Sequence, residues 1–220
     1  MMEQRSDEWF TARLGKITAS RINDVMATIK SGGESSSRKN YRAQLVVERL
    51  TGQKADSYTN GAMMWGTEQE PFARQSYEFF TGNDVVEVGF IEHPTIEMSG
   101  ASPDGLVGDD GMIEIKCPNT ATHIDWLLAG VVPSEHVKQM QWQMECMDRE
   151  WCDFVSYDPR LPVDLQLFII RCERDYVLLN EIRAAVIKLL SEVDEQVAAL
   201  ETLKYKSLFV EYSDKGRAVE

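Results

Sequence analysis

Several features are missing from this 220-residue chain, and each absence excludes a class. No run of about 18 apolar residues exists, so a membrane-spanning helix is not expected. The first ten residues, MMEQRSDEWF, lack the apolar centre of a secretory signal. The four cysteines (Cys117, Cys146, Cys152, Cys172) include no CxxC pair, which argues against a zinc or iron–sulfur cage. Reduced thiols in an intracellular protein are expected instead. His93, His123 and His136 share no metal-ligand spacing. Basic residues are scarce: 23 Lys and Arg stand against 36 Asp and Glu, a net charge of −13. Taken whole, that balance argues against nucleic acid as a partner.

What is present changes this picture. Hydrophobic residues make up 43% of the chain, enough to build a core. The charge is unevenly spread. Residues 1–54 carry ten Lys and Arg against six Asp and Glu, whereas residues 55–160 carry five against nineteen. Most of those carboxylates read as a solvated surface, but a divalent-cation site needs only three or four of them.

The pattern predicts helices after Ser6 (stopped near Gly15), from Thr18 or Ser20 to Met26, over 40–50 and over 66–80. SGGESSSR (31–38) reads as a mobile surface loop. VVEVGFIE (85–92) and MIEIKC (112–117) alternate as half-buried strands do, with only turns between them. Helices are expected at 121–129, 135–148 and 175–203, and strands at 152–157 and 164–172. No internal repeat or linker is evident. The order predicts one mixed α/β domain over 1–220, a central mixed sheet flanked by helices. It divides into a helical part (1–82), a sheet-based core (83–172) and a C-terminal helix with a tail (173–220).

The chemistry centres on Ser102-Pro103-Asp104-Gly105 followed by Glu114-Ile115-Lys116. SPDG alone is a good turn, and EIK alone is an ordinary strand. Together they say more. Glu114 and Lys116, two apart on a strand, share a face. With Asp104 at a neighbouring strand end, two carboxylates and an ammonium converge. Carboxylates suit Mg²⁺, and an ammonium beside them can orient a water and favour its deprotonation, the layout for metal-assisted phosphodiester hydrolysis.

At this point the chain resembles the PD-(D/E)xK nuclease superfamily, and within it the phage lambda exonuclease family of viral recombination nucleases. The similarity takes in WFTARLGKITAS (9–20), WGTEQE (65–70), SPDG, EIKCP (114–118), Gln139-Met140-Gln141 and Tyr157-Asp158-Pro159-Arg160, in family order. The resemblance implies a restriction-endonuclease-like core and Mg²⁺ held by Glu70, Asp104, Glu114 and the Ile115 backbone carbonyl. Two ions are expected, and Mn²⁺ is an expected substitute. Lys116 would act as the catalytic lysine. Arg13, Thr18, Ser20, Ser102 and Gln139 would grip a 5′-phosphate, a role suited to a planar guanidinium with neutral donors around it. The resemblance further implies a ring-shaped homotrimer, double-stranded DNA ends as substrate, a single-strand annealing protein as partner, and the cytoplasm of a bacterial host carrying a phage or prophage. The function implied is 5′-to-3′ degradation of one strand to mononucleotides.

Other readings stand beside these. Lys30, Arg38, Lys39 and Arg42 are either the electrostatic grip on DNA or an idle basic face. Met63 is either a wedge at the duplex end or loop packing. Trp9 and Trp65 read as core packing before base stacking, and Ser20 as a helix cap, a phosphate donor or both. The rival functions are an endonuclease of the same superfamily and a non-catalytic DNA-end-binding module.

Overall fold

A computed structural model describes residues 3–30, 32–54 and 61–203. In chain order the elements are α1 (Asp7–Arg13), β1 (Ile17–Thr18), α2 (Ile22–Val25), α3 (Ser36–Thr51), α4 (Gly61–Thr81), β2 (Val85–Val86), β3 (Ile91–Glu92), β4 (Ser99–Ala101), β5 (Gly105–Val107) and β6 (Gly111–Lys116). They continue with α5 (Thr120–Ala129), α6 (Ser134–Met147), β7 (Trp151–Tyr157), β8 (Leu167–Glu173) and α7 (Tyr176–Leu203). The central sheet has the order β2-β5-β6-β7-β8. Only β6 and β7 run parallel in it, so the sheet is mixed, as expected.

Helices cover both faces of this sheet. Ile113 and Ile115 of β6 pack with Ala73 and Tyr77 of α4 on one face. Met112 packs with Met140 and Met144 of α6 on the other. A further core joins α2, α3 and α7 around Leu45, Ile182 and Val186. Two arginines, Arg174 and Arg183, donate to Glu145 of α6 at 2.8 and 2.6 Å and tie α7 and the chain before it to α6.

Local chemistry explains the helix ends. Ser6 accepts the Trp9 amide at 3.2 Å and starts α1. Ser35 does the same for Arg38, also at 3.2 Å, and starts α3, which Gly52 ends in the left-handed conformation at φ +64°. Ser36–Arg38 therefore form the first turn of a helix rather than the end of a loop. The helix expected from Thr18 or Ser20 is a single 3₁₀ turn, Ala19–Arg21, followed by α2, and no side chain caps either piece.

The stretch 85–92 is not one strand. Its two ends belong to different sheets: β2 pairs with β5, while β3 joins β4 and β1 in a second, three-stranded sheet. Phe90 turns inward between them, so close to Gly100 that a Cβ there would meet its ring at 2.4 Å. The segment read as turns supplies both β4 and β5, too short for periodicity to reveal. β6 is buried on both faces, not half-buried, because α4 and α6 sandwich it. The C-terminal tail beyond 203 lies outside the described residues.

Candidate active site

The site is built where β5 enters the central sheet and β6 leaves it. Asp104 immediately precedes β5, and its Oδ2 accepts the Ile115 amide of β6 at 2.6 Å. Glu114 and Lys116 leave β6 on the same face, and the ammonium donates to Glu114 Oε1. Glu114 is only 1% exposed, and a buried carboxylate must be fully bonded. Gln139 and Gln143, one turn apart on α6, supply the remaining donors at 2.6 Å each, to Oε1 and Oε2. Gln143 was not anticipated, although its four-residue spacing from Gln139 was a usable signal. Gln139 points at Glu114, not at the phosphate pocket the resemblance assigned it to, because α6 packs across the face of β6 that carries Glu114.

Glu70 reaches the same end of the sheet from α4. It accepts Arg5 at 2.5 Å and Arg74 at 3.1 Å. Burial pushes the Asp104 carboxyl well above the usual range, and the Glu114 and Glu70 carboxylates push it further. Burial alone would lower the Lys116 ammonium, but Glu114 and Asp104 outweigh it and hold it above its ordinary value. Cys117 is pushed up to about 12, by burial first and then by Glu70 and Asp104, and stays a neutral thiol.

Among the described residues, no three His, Cys, Asp or Glu side chains stand together as a ready cation cage. The donor chemistry nonetheless fits a hard divalent ion. Glu114 and Glu70 both act on Asp104 as like charges, which a cation would relieve. Binding would require Glu70 to yield to the ion an oxygen now given to an arginine, and Glu114 the one now given to Lys116, while Glu114 keeps its amide donors.

A second feature lies beside the first. Arg13, in the last turn of α1, stacks on Trp9 with its guanidinium 3.8 Å from the ring centre. Ser102 accepts from both, from Trp9 Nε1 at 2.9 Å and from Arg13 Nη1 at 3.3 Å. Trp9 is therefore part of a polar cluster and not simply core packing. Arg13, Thr18 and Ser20 line one cavity of about 310 Å³, with the Thr18 and Ser20 hydroxyls 3.4 Å apart. Glu48 shares that cavity but is occupied by the Gly15 amide at 2.9 Å and by Gln44 at 2.8 Å. Arg13 has no ion-pair partner among the described residues, and burial pulls it down to about 10. Tyr41 and Glu48 offset part of that burial from a distance, but no carboxylate among the described residues reaches ion-pair range, so the guanidinium keeps donors free for an anion. The SPDG segment thus carries Ser102 to one feature and Asp104 to the other. Gln4 anchors it by donating to the Pro103 carbonyl at 2.8 Å, a role no sequence signal marked.

One groove connects the two. Its end cavities share lining residues with a middle one: Trp9, Phe10 and Lys54 on the Arg13 side, Arg5 and Thr67 on the Lys116 side. Met63 lines all three cavities and is 54% exposed. Arg160 accounts for the Tyr157–Arg160 motif. It grips Asp158 at 2.7 and 3.0 Å, donates to the Pro118 carbonyl at 3.0 Å, and lies 4.5 Å from the centre of the Trp65 ring. It thereby fixes the chain that leaves Lys116. His123 and His93 are structural. His123 bonds Ser156 at 2.6 Å and the Leu165 carbonyl at 2.9 Å, and His93 stacks on Trp142.

Half of the basic set is neutralised within the fold. Arg38 and Arg42 each donate to Glu192 of α7 at 2.7 Å and also pair with Glu34, so their charge is spent on the α3–α7 junction. Lys30 and Lys39 are exposed. Replacing Arg38 and Arg42 together by Gln should cost stability, about 2 kcal/mol from lost charged hydrogen bonds. Replacing Lys30 and Lys39 should leave the melting temperature unchanged and flatten the salt dependence of DNA binding by up to about 0.9 in log–log slope per phosphate contact. Thermal unfolding and a salt titration of each double variant check this.

Residues 8–150 match the model of the YqaJ-like viral recombinase domain. Among solved structures, the chain is 52% identical to an alkaline exonuclease (LHK-Exo) from Laribacter hongkongensis, with a TM-score of 0.85 over 90% of this chain and 98% of that one. That exonuclease has also been crystallised with dAMP. A phage-related exonuclease from Haemophilus somnus 129PT shares the fold at 17% identity, with a TM-score of 0.67 over 84% and 96% of the two chains. None of the curated proteins matches. The fold, the order of the motifs and these likenesses agree with the resemblance to viral recombination exonucleases, and the chain belongs to the family of the YqaJ-like viral recombinase domain.

Proposed function

We propose that this protein is a Mg²⁺-dependent 5′-to-3′ exonuclease that degrades one strand of double-stranded DNA from its ends, releasing mononucleotides and leaving 3′ single-stranded tails. The observation that carries this reading is the groove joining an unpaired guanidinium, Arg13, to a cluster of carboxylates with a lysine. The exonuclease activity named for the relative at 52% identity supports it. Asp104, Glu114, the Ile115 carbonyl and Glu70 would hold one or two Mg²⁺ ions, with Mn²⁺ as a substitute. Such ions supply Lewis-acid stabilisation of charge on the phosphate and leaving oxygen. Lys116 orients the attacking water and favours its deprotonation. Gln139 and Gln143 keep Glu114 in place. Arg13, Thr18, Ser20 and Ser102 hold the terminal 5′-phosphate, and Met63 parts the duplex end.

The protein would act in the cytoplasm of a bacterial host, with a single-strand annealing protein that takes up the 3′ tail. A ring-shaped homotrimer would keep DNA threaded and turn the acidic surface outward. Among the described residues, no helix is long and apolar enough to cross a membrane. Linear and covalently closed circular duplexes, each incubated with and without Mg²⁺, test the reading. An exonuclease consumes only the linear form and only with the ion. Cutting of the circle would establish the endonuclease, and binding without cutting the recruitment module.

Arg13→Ala should reduce selectivity for ends. A terminal phosphate carries nearly two negative charges and an internal diester one. A lost charge-assisted contact corresponds to about 10- to 100-fold. The wild type should prefer 5′-phosphate over 5′-hydroxyl ends, and the variant should lose most of that preference while still binding duplex. Single-turnover rates on matched ends measure it. Equal slowing on both ends would make Arg13 structural.

A further inference from the structure

One wall of the groove has no part in the chemistry above. Trp126 of α5 and His136 of α6 line the same cavity as Lys116 and Glu70, and both are half-exposed. Their rings are held firmly. Trp126 meets His136 edge-on with centroids 5.5 Å apart, and meets Phe154 at 5.3 Å. His136 stacks on Phe154 at 5.4 Å, with the planes 20° apart. Phe154 is fully buried on β7 and lies in register with Glu114 on β6. A fixed aromatic wall therefore stands one strand away from the carboxylate. The groove's cations, Arg5 and Lys116, suit phosphates, whereas two rings suit something flat and apolar.

We propose that Trp126, braced edge-on by His136, forms a stacking platform for a nucleobase flanking the scissile phosphate. The proposal rests on the nuclease reading. A base drawn from the duplex end to bring its phosphodiester to Lys116 loses its stacking partner. An aromatic ring replaces that partner for any of the four bases, because every base has a π face. The platform takes single-stranded DNA at the end being digested and holds it without sequence preference.

The test combines a change in the protein with a change in the substrate. Single-turnover cleavage is measured on 5′-phosphorylated duplexes whose first or second nucleotide is normal or abasic, with wild type, Trp126→Leu and Trp126→Phe. At one of the two positions the abasic analogue should slow the wild type about tenfold. Trp126→Leu should be slowed by a similar factor on normal DNA and no further by the abasic analogue, and Trp126→Phe should behave like wild type. His136→Leu, expected to show the same non-additivity, serves if Trp126→Leu does not fold. In metal-free buffer, 2-aminopurine at the coupled position should be quenched on binding wild type and not on binding the Leu variant. Additive effects at both positions, with quenching unchanged in the variant, overturn the proposal. If wild type does not cut DNA at all, the nuclease reading fails, and the 2-aminopurine measurement alone decides whether a base stacks here.

Discussion

Lys116→Ala should abolish strand cleavage while the protein still folds and still binds DNA ends. Lys116 sits at the end of β6 with its side chain partly open to the groove, so the core does not depend on it. Glu114 keeps its two amide donors from α6 when the ammonium is removed. In the proposed reading the duplex is gripped elsewhere, by the Arg13 pocket and by exposed lysines. What would disappear is the ammonium proposed to orient the attacking water and favour its deprotonation, a contribution of about 100- to 10,000-fold. Cleavage and end binding, measured at matched protein concentration, separate the two roles. Residual cleavage within about tenfold of wild type, roughly 1.4 kcal/mol in barrier, would refute the assignment.

Glu114→Gln and Asp104→Asn should each lose cleavage and weaken Mg²⁺ binding, but they should differ in stability. Glu114 is buried and surrounded by three donors, and an amide in its place turns a donor toward other donors. That variant should melt lower. Asp104 is the opposite case. Burial, then Glu114 and Glu70, raise its carboxyl, so its ionised form is disfavoured in the folded protein. An acid raised on folding costs stability as pH climbs from its unfolded value, about 3.9, through its folded value, and the cost vanishes below that window. Metal-free Asp104→Asn should therefore melt above wild type at neutral pH, with the gap closing in acid. The asparagine oxygen can still accept the Ile115 amide. Calorimetric Mg²⁺ titration and thermal unfolding against pH check both variants. Unchanged metal affinity in the pair would place the ion elsewhere.

Glu114 shows how far local reasoning reaches. Its spacing from Lys116 placed both on one face, because side chains alternate along any strand. The same reasoning made the strand half-buried, since alternation cannot say whether a second helix covers the polar side. Here α6 does, and its amides make burial of a carboxylate tolerable. Arg38 and Arg42 show the reverse. Counted along the chain they are free positive charge, but their partner Glu192 lies 154 and 150 positions away. Charge counting measures composition, and neutralisation depends on which helices meet.

The sequence by itself determined whatever depends on neighbours along the chain. Ser6 caps a helix, Gly52 ends one, and the EIK side chains share a face. These follow from backbone geometry and hydrogen-bonding groups within a few residues. Only the tertiary structure decided that Gln139 and Gln143 both bond Glu114 and that Gln4 anchors the SPDG segment. The same holds for Trp126 and His136 reaching the groove beside Lys116. Those outcomes depend on how α1, α4 and α6 pack against the sheet. Packing is set by apolar burial summed over many distant residues, and no short stretch of sequence contains it.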